Sequence, residues 1–418
     1  MDIGIVGAGF SGLLAAGHLS QEAKVTVYEK HPYLGGLAAS MNLDGVLVEK
    51  FNHYFSRKDT EFLRIVKELG LGEKIFWKNT KQAGVFGEKL YKLNNFMDVL
   101  RLPGLTFSSK IKTGIFFIEN KFNKSGLPSS AYNIDEYIIK KCGKEAFDVF
   151  FRPLLEFKFS KNSDINAAYL WARLREDKKN RIGYLRGGLD QVFKAMCDKI
   201  KKDGAEVLLD NPVRDIFYDE ENKRWQVYAA RTQKRHDIII LSIPATQALR
   251  ICPAAGEEYG WIGDLEYLSA AGYLMKLKNP LKEGYWLFNC SAEDKAPRII
   301  IDSTLFTGKT FIYLPVYMQG TVRKFPLEGC YEYFKKINPE FNDDWVEQVH
   351  FFSEEYAEPV LNKTLFTNLL RGEINFKGLY IPEIIFERSL LKSLNSITVK
   401  IKQVVEDIRG KYVWHRSS

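Results

Sequence analysis

Cysteine is scarce. The 418 residues hold five, Cys142, Cys197, Cys252, Cys290 and Cys330, and no two form a Cys-x-x-Cys pair. An odd, scattered set supports neither a disulfide framework nor a cysteine zinc site and is expected of buried thiols in a reducing compartment. The six histidines, His18, His31, His53, His236, His350 and His415, have no ligand-like spacing, so no metal centre is expected. No run of about 18 apolar residues occurs, so no membrane-spanning helix is expected. Met1-Asp2 leads straight into Ile3-Gly4-Ile5-Val6, without the basic and apolar segments of an export signal. The cytoplasm is the expected location, with attachment to a membrane surface left open. Neither sign of charge dominates: 60 Lys and Arg against 52 Asp and Glu give +8, a mild bias towards anionic ligands or surfaces. Basic residues do not repeat with interleaved aromatics as in a nucleic-acid binder, and nucleic acid is not an expected partner. Internal repeats and low-complexity tracts are also missing.

What is present is ordinary globular composition, 45% hydrophobic and 27% charged, on a chain long enough for two or three domains. Residues 2 to 6 read as a short buried strand, and Leu13 to Leu19 has helical character. A second strand is expected at Lys24 to Glu29, completing a βαβ unit of about 30 residues. Asp59 to Leu69 reads as a helix with Phe62, Leu63, Val66 and Leu69 on its apolar face and Asp59 or Thr60 as cap. From about 81 to 182 aromatic and basic residues dominate, and Ile134 to Lys141 begins a mostly helical run. Strand patterns return at 206–209, 224–229 and 237–242, and residues 266 to about 369 are strand-rich. Gly378 to Ile381 and a helix over Ile397 to Ile408 close the pattern.

Between the first strand and helix stand Gly7, Gly9 and Gly12 in a G-x-G-x-x-G arrangement. Their roles are physical: the first glycine allows the tight turn, the second lets the backbone approach a pyrophosphate, and the third lets helix and strand pack closely. The helix N-terminus stabilises the negative charge, and Ser11 in its first turn is a candidate pyrophosphate contact. Glu29 lies 20 residues after Gly9, at the end of the second strand, where a carboxylate accepts a ribose hydroxyl and disfavours a 2′-phosphate.

The run Gly7 to Gly12, Glu29, Lys30 and Gly35-Gly36 resembles the start of the flavoprotein superfamily of flavin amine oxidases, protoporphyrinogen oxidases and phytoene desaturases, with UDP-galactopyranose mutase more distant. The resemblance implies FAD rather than NAD, with Gly36 near the diphosphate and Lys30 beside Glu29. Leu37 stands where many members carry arginine. Gly45 to Phe55 is similar to the family segment that runs past the flavin, which implies that His53 lies near the ring and could exchange a proton there. Tyr184 to Leu189 and the following strand resemble the return to the FAD domain, which places the backbone near Val213 at the adenine. Tyr356-Ala357-Glu358-Pro359 is similar to a late family motif and makes Tyr356 a candidate for the substrate cavity. The usual closing Gly-Asp is replaced by Gly378-Leu379-Tyr380-Ile381-Pro382-Glu383, and Asn395, ahead of the final helix, is the candidate for part of that role. No cysteine lies between 378 and 408, so FAD is expected to be non-covalent.

The expected architecture is therefore α/β: a Rossmann-like FAD-binding domain with an interleaved α+β substrate domain. The first is assembled from 1–80, 183–265 and 370–418, the second from 81–182 and 266–369. The expected activity is hydride transfer from a small organic substrate, an amine or a C–H bond to be desaturated, to FAD. A redox-neutral, mutase-like isomerase and a degenerate nucleotide binder are the alternatives, and the oligomeric state is not legible. Two basic stretches stay open to several readings. Residues 152–186 carry nine Lys and Arg against four acids, and 96–127 mixes basic residues with Phe107, Ile111, Ile115, Phe116, Phe117 and Phe122. A solvated face, the mouth of a cavity for an acidic substrate and a patch lying on a membrane all fit. Thr307-Gly308-Lys309-Thr310 ends like a phosphate-binding loop but has Ser303 where the motif needs glycine, and a hairpin turn is expected there.

Overall fold

The computed structural model describes all residues except 52, 87–88, 95, 123–131, 160–163, 171–180, 282–285, 290–298, 303–308, 321–323, 325, 370–374, 385–392 and 413–418. The chain divides into two compact units. One comprises Met1–Phe76, Leu185–Leu265 and Asn368–Ser418, and the other Trp77–Tyr184 and Glu266–Thr367.

The first unit is built on a five-stranded parallel sheet. Its order is Leu379–Tyr380, Ile238–Leu241, Asp2–Val6, Lys24–Tyr28 and Glu206–Leu208. Parallel strands covered on both faces need continuous apolar runs, and Ile3, Ile5, Val27 and Ile238 to Leu241 are all fully buried. Helix Phe10–Leu19 leaves the first strand and packs against helices Asp190–Lys202 and Leu394–Lys411. An antiparallel meander, Val213–Asp219, Arg224–Ala229 and Gln233–His236, precedes the strand Ile238–Leu241. Gly4, in the centre of the first strand, leaves room for the ring of His236; a Cβ there would lie 2.7 Å from its Cδ2.

Helix Thr60–Glu68 forms where the pattern predicts one, with a shifted face. Phe62, Ile65 and Val66 are buried while Leu63 and Leu69 are only half-buried. Its N-cap residue Asp59 makes no side-chain cap; the cap comes from elsewhere in the chain, as described below.

The second unit carries a seven-stranded mixed sheet in the order Val346–Pro359, Tyr267–Leu277, Thr310–Gln319, Ile299–Asp302, Trp286–Asn289, Gln82–Phe86 and Lys89–Lys92. Helix Glu328–Ile337 covers a core that includes Met275, Leu287, Ile312, Leu314 and Phe334. Helices Phe107–Phe122 and Ile134–Cys142 pack on each other, and a helical run continues from Lys144 to Lys158. That run contains a π turn at Phe147–Phe151, just before Pro153. A proline removes a backbone donor and crowds the preceding turn, so a widened turn N-terminal to it relieves the ladder.

The basic residues Lys161, Arg173, Arg175, Lys178 and Lys179, the turn at Thr307-Gly308, Cys290 and His415 lie outside the described residues. The other four cysteines are buried and unpaired by disulfides, and burial pushes the thiols of Cys142, Cys252 and Cys330 up to about 12. Among the described residues no three His, Cys, Asp or Glu side chains gather as a metal site would need, and no helix is long and apolar enough to cross a membrane.

Candidate nucleotide site and the acid cluster beside it

The glycine-rich turn sits at the C-terminal edge of the parallel sheet, where open α/β sheets bind ligands. Gly7 takes a left-handed conformation with φ of +103°, and a Cβ there would come 2.6 Å from the Ser242 carbonyl oxygen. Gly12 is more demanding, since its Cβ would lie 1.9 Å from the Gly7 oxygen. Gly9 differs from both. It is extended, with φ of −73°, and no protein atom comes closer than 3.9 Å to the Cβ it lacks. Two of the glycines are thus required by the fold, while the open face of the third is the close backbone approach that a diphosphate needs. The second glycine pair lies alongside: Gly35 bridges Gly9, and its N–H donates to the Ala8 oxygen at 3.0 Å. A Cβ on Gly36 would stand 3.5 Å from the Gly9 Cα. Gly36 is exposed and Leu37 half-buried in the short turn Gly36–Ala38.

Helix Phe10–Leu19 begins against this cradle with no side-chain cap and no acid in its first turn. Its leading N–H groups and the positive end of its dipole are therefore available to an anion. Ser11 is half-buried in that turn and its side chain makes no hydrogen bond among the described residues. Glu29 is buried at the end of its strand. One carboxylate oxygen accepts the Ala8 N–H at 2.7 Å and the other accepts the His31 N–H at 2.9 Å. Each oxygen keeps a lone pair, so the group braces the turn and can still accept hydroxyl protons. Lys30, next along, is exposed. Asn211 donates its N–H to the Glu29 carbonyl oxygen at 2.8 Å, which brings the chain to half-buried Val213 two residues later. The residues present fit a dinucleotide.

His53 follows the hairpin Ser40–Leu43 and Val46–Glu49. It is half-buried, its Nδ1 lies 2.7 Å from the Phe51 oxygen, and burial holds its pKa below the usual histidine value, so the ring is neutral at neutral pH. Rings tie this loop to the start of the glycine-rich helix. Phe55 meets Phe62 at 5.3 Å, and Phe62 meets Phe10 at 5.7 Å. Beside His53 lies a group that was not singled out from sequence. Glu49 is buried, and burial pushes its carboxyl up to about 8 against the pull of backbone N–H groups from Leu189 and His53; the Asp190 carboxylate raises it further. Asp190 itself accepts the Ser40 N–H at 3.0 Å. A lone acid in an alternating strand carries no sequence signal of this, because the groups that act on it include Leu189 and Asp190, about 140 residues away in sequence.

One expectation changes. Asn395 does not precede the final helix. It sits in the first turn of Leu394–Lys411, whose cap is Ser393 in a reciprocal arrangement with Ser396. Its side-chain oxygen accepts the N–H groups of Glu61 and Phe62 at 2.9 and 3.3 Å, and so caps helix Thr60–Glu68 from outside. Asn395→Ala is expected to cost about 1 kcal/mol of stability, with flavin content per folded protein unchanged; thermal melting and absorbance check both. Tyr356 belongs to the second unit, half-buried in strand Val346–Pro359 and edge-on to Tyr267 at 5.4 Å.

Residues 10–271 match the family model of flavin containing amine oxidoreductase, 262 of 418 positions. The chain belongs to this family. Among its relatives it is 23% identical over 279 residues to 15-cis-phytoene desaturase from Synechococcus elongatus, covering 60% of this chain and 58% of that one. It spans about three fifths of the length of the first curated relatives it matches. Its fold is similar to that of cyclohexylamine oxidase from Brevibacterium oxydans, at 14% identity and a TM-score of 0.72 over 97% of this chain and 99% of that one. It is also similar to reduced UDP-galactopyranose mutase, at 15% identity and a TM-score of 0.76 over 99% and 96%. The family this model describes is one of flavin-containing oxidoreductases, and the chain shares its parallel-sheet fold.

Proposed function

We propose that this protein binds FAD non-covalently and oxidises a small organic substrate by accepting a hydride, from an amine or from a C–H bond undergoing desaturation. The observation that carries the reading is the open face of Gly9 beside Gly36, at the uncapped start of helix Phe10–Leu19. In it the backbone of Gly9, Ser11 and Gly36 holds the diphosphate, Glu29 the ribose, and the chain near Val213 the adenine. Bound FAD supplies the two-electron acceptor. The protein's own part is to orient the substrate, exclude water and manage protons. Neutral His53, whose Nδ1–H donates to the Phe51 carbonyl oxygen, can accept a proton at its other ring nitrogen, and protonated Glu49 keeps negative charge out of the same neighbourhood. Tyr356 is the proposed contribution of the second unit to substrate contact.

The test is an absorption spectrum of the purified protein between about 350 and 500 nm, the range of flavin absorption, followed by heat release of the chromophore. The expected result is released FAD, which anaerobic addition of amines or desaturable substrates then bleaches. Turnover that needs prior flavin reduction, with no net electron transfer, would establish the mutase-like isomerase instead. A colourless protein that refuses added FAD would establish a degenerate member.

A further inference from the structure

The outer face of helix Phe107–Phe122 is the wrong way round for a helix in water. Surface helices of globular proteins bury an apolar stripe and expose a polar one. Here Ser109, Thr113 and Phe116 are buried, while Phe107, Ile111, Ile115 and Ile118 are 75%, 41%, 51% and 53% exposed. At 100° per residue these four side chains fall within an arc of about 80°, and they extend over roughly 16 Å of helix axis. Met97 on the adjoining helix Phe96–Leu100 and Ile139 on Ile134–Cys142 are exposed as well. Half of the twelve large apolar side chains exposed among the described residues therefore belong to this one neighbourhood.

The unpaired charges described on this helix and in the turn ahead of it are cations. Lys110 and Lys112 flank the arc on opposite sides, and Arg101 is exposed in the turn ahead of the helix. None of the three makes an ion pair among the described residues. The acid on the exposed face, Glu119, is neutralised by Lys141 at 2.9 Å. An apolar stripe with unpaired cations on both flanks fits an interfacial helix: the apolar residues enter the acyl boundary while the cations meet lipid phosphates. A second copy of the chain fits poorly, because a two-fold contact would bring the same unpaired cations face to face.

We propose that Phe107, Ile111, Ile115 and Ile118, with Arg101, Lys110 and Lys112 around them, form a docking surface for the anionic face of a lipid bilayer. The helix lies in the membrane surface and does not cross it, in keeping with its length and with the lack of any spanning helix among the described residues.

The experiment is flotation of the full-length protein with vesicles of phosphatidylcholine, with and without phosphatidylserine. The wild type is expected to float with the phosphatidylserine vesicles and to be released by salt. Ile111→Ser/Ile115→Ser is expected to lose binding about 10-fold or more, and Lys110→Gln/Lys112→Gln to lose both affinity and salt dependence. Ile111, Lys112 and Ile115 are exposed and Lys110 is half-buried, so both variants should keep the wild-type melting temperature, which separates lost docking from lost folding. Wild type that floats with neither vesicle overturns the proposal. So does equal binding to both compositions, or a concentration-dependent dimer that Ile111→Ser/Ile115→Ser abolishes.

Discussion

Gly9→Val is expected to yield a stable, colourless protein, and Gly12→Ala a strongly destabilised one. The two glycines stand three residues apart in one motif, whose pattern gives Gly9 the approach to a pyrophosphate and Gly12 the packing of helix on strand. Their surroundings differ. A Cβ on Gly12 would sit 1.9 Å from the Gly7 carbonyl oxygen, backbone against backbone, at the point where strand and helix meet. Relief requires moving the first helix off the central strand, and a shift of that size costs on the order of 3 kcal/mol or more. At Gly9 the Cβ has 3.9 Å of clearance and the backbone is in a region any residue adopts. The valine then fills only the space a diphosphate would take, removing close backbone hydrogen bonds to an anion. At about 1.5–3 kcal/mol for a hydrogen bond to a charged group, FAD affinity falls by about 10- to 100-fold, with steric exclusion adding to it. Flavin-to-protein absorbance and thermal melting, read on both variants, distinguish the cases. A Gly9→Val protein that stays fully yellow would mean that the diphosphate lies elsewhere.

Glu49→Gln is expected to stabilise the protein at alkaline pH. The Glu49 carboxyl titrates at about 8 in the folded protein and near 4.5 when unfolded. Between those values the folded state holds the extra proton, so wild-type stability falls as pH rises through the window. By pH 9 the loss is on the order of 3–5 kcal/mol, at about 1.4 kcal/mol per pH unit. Glutamine keeps an acceptor for the Leu189 N–H and carries no charge. His236 acts in the opposite direction. Burial beside Tyr28, whose hydroxyl is 2.8 Å from its Nε2, lowers the ring pKa from 6.5 to about 4. The unfolded chain takes up that proton first, so stability is lost as pH falls below about 6.5 and is fully present above it. From these two groups the wild type should be level between about pH 4.5 and 6.5, where the effects cancel, and fall from there to about pH 8, whereas Glu49→Gln should rise to about pH 6.5 and hold until the buried thiols begin to ionise in the unfolded chain near pH 9. Denaturant melts from pH 4 to 9 read this directly. Coincident curves for the two proteins at pH 9 would show that Glu49 ionises in place without cost.

The contrast between Glu29 and Glu49 explains how much of the site was legible. Glu29 could be found because its neighbours in sequence are its neighbours in space: strand, glycine turn, helix and second strand form one local unit with a fixed spacing. Its hydrogen bonds to Ala8 and His31 stay inside that unit. Glu49 acquires its altered chemistry from burial first and then from the Asp190 carboxylate, which a chain excursion through the second unit returns to it. Asn395 teaches the same point from the other side. The missing Gly-Asp drew attention to it as a cofactor contact, yet its side-chain oxygen is committed to a helix more than 300 residues earlier. The face of helix Thr60–Glu68 likewise turned on its partners: the pattern pointed to Leu63 and Leu69, and packing against the rest of its unit buried Ile65 instead.

The sequence by itself determined the parallel α/β unit, its glycine cradle and the carboxylate at the strand end, because local periodicity, turn sterics and helix polarity act over a few residues. Tertiary packing alone made Glu49 a buried acid and Asn395 a cap, turned an apolar stripe outward at Phe107 to Ile118, and set the clearance of 3.9 Å at Gly9 against 1.9 Å at Gly12. Steric clearance, desolvation and exposure are set by atoms that arrive from distant parts of the chain.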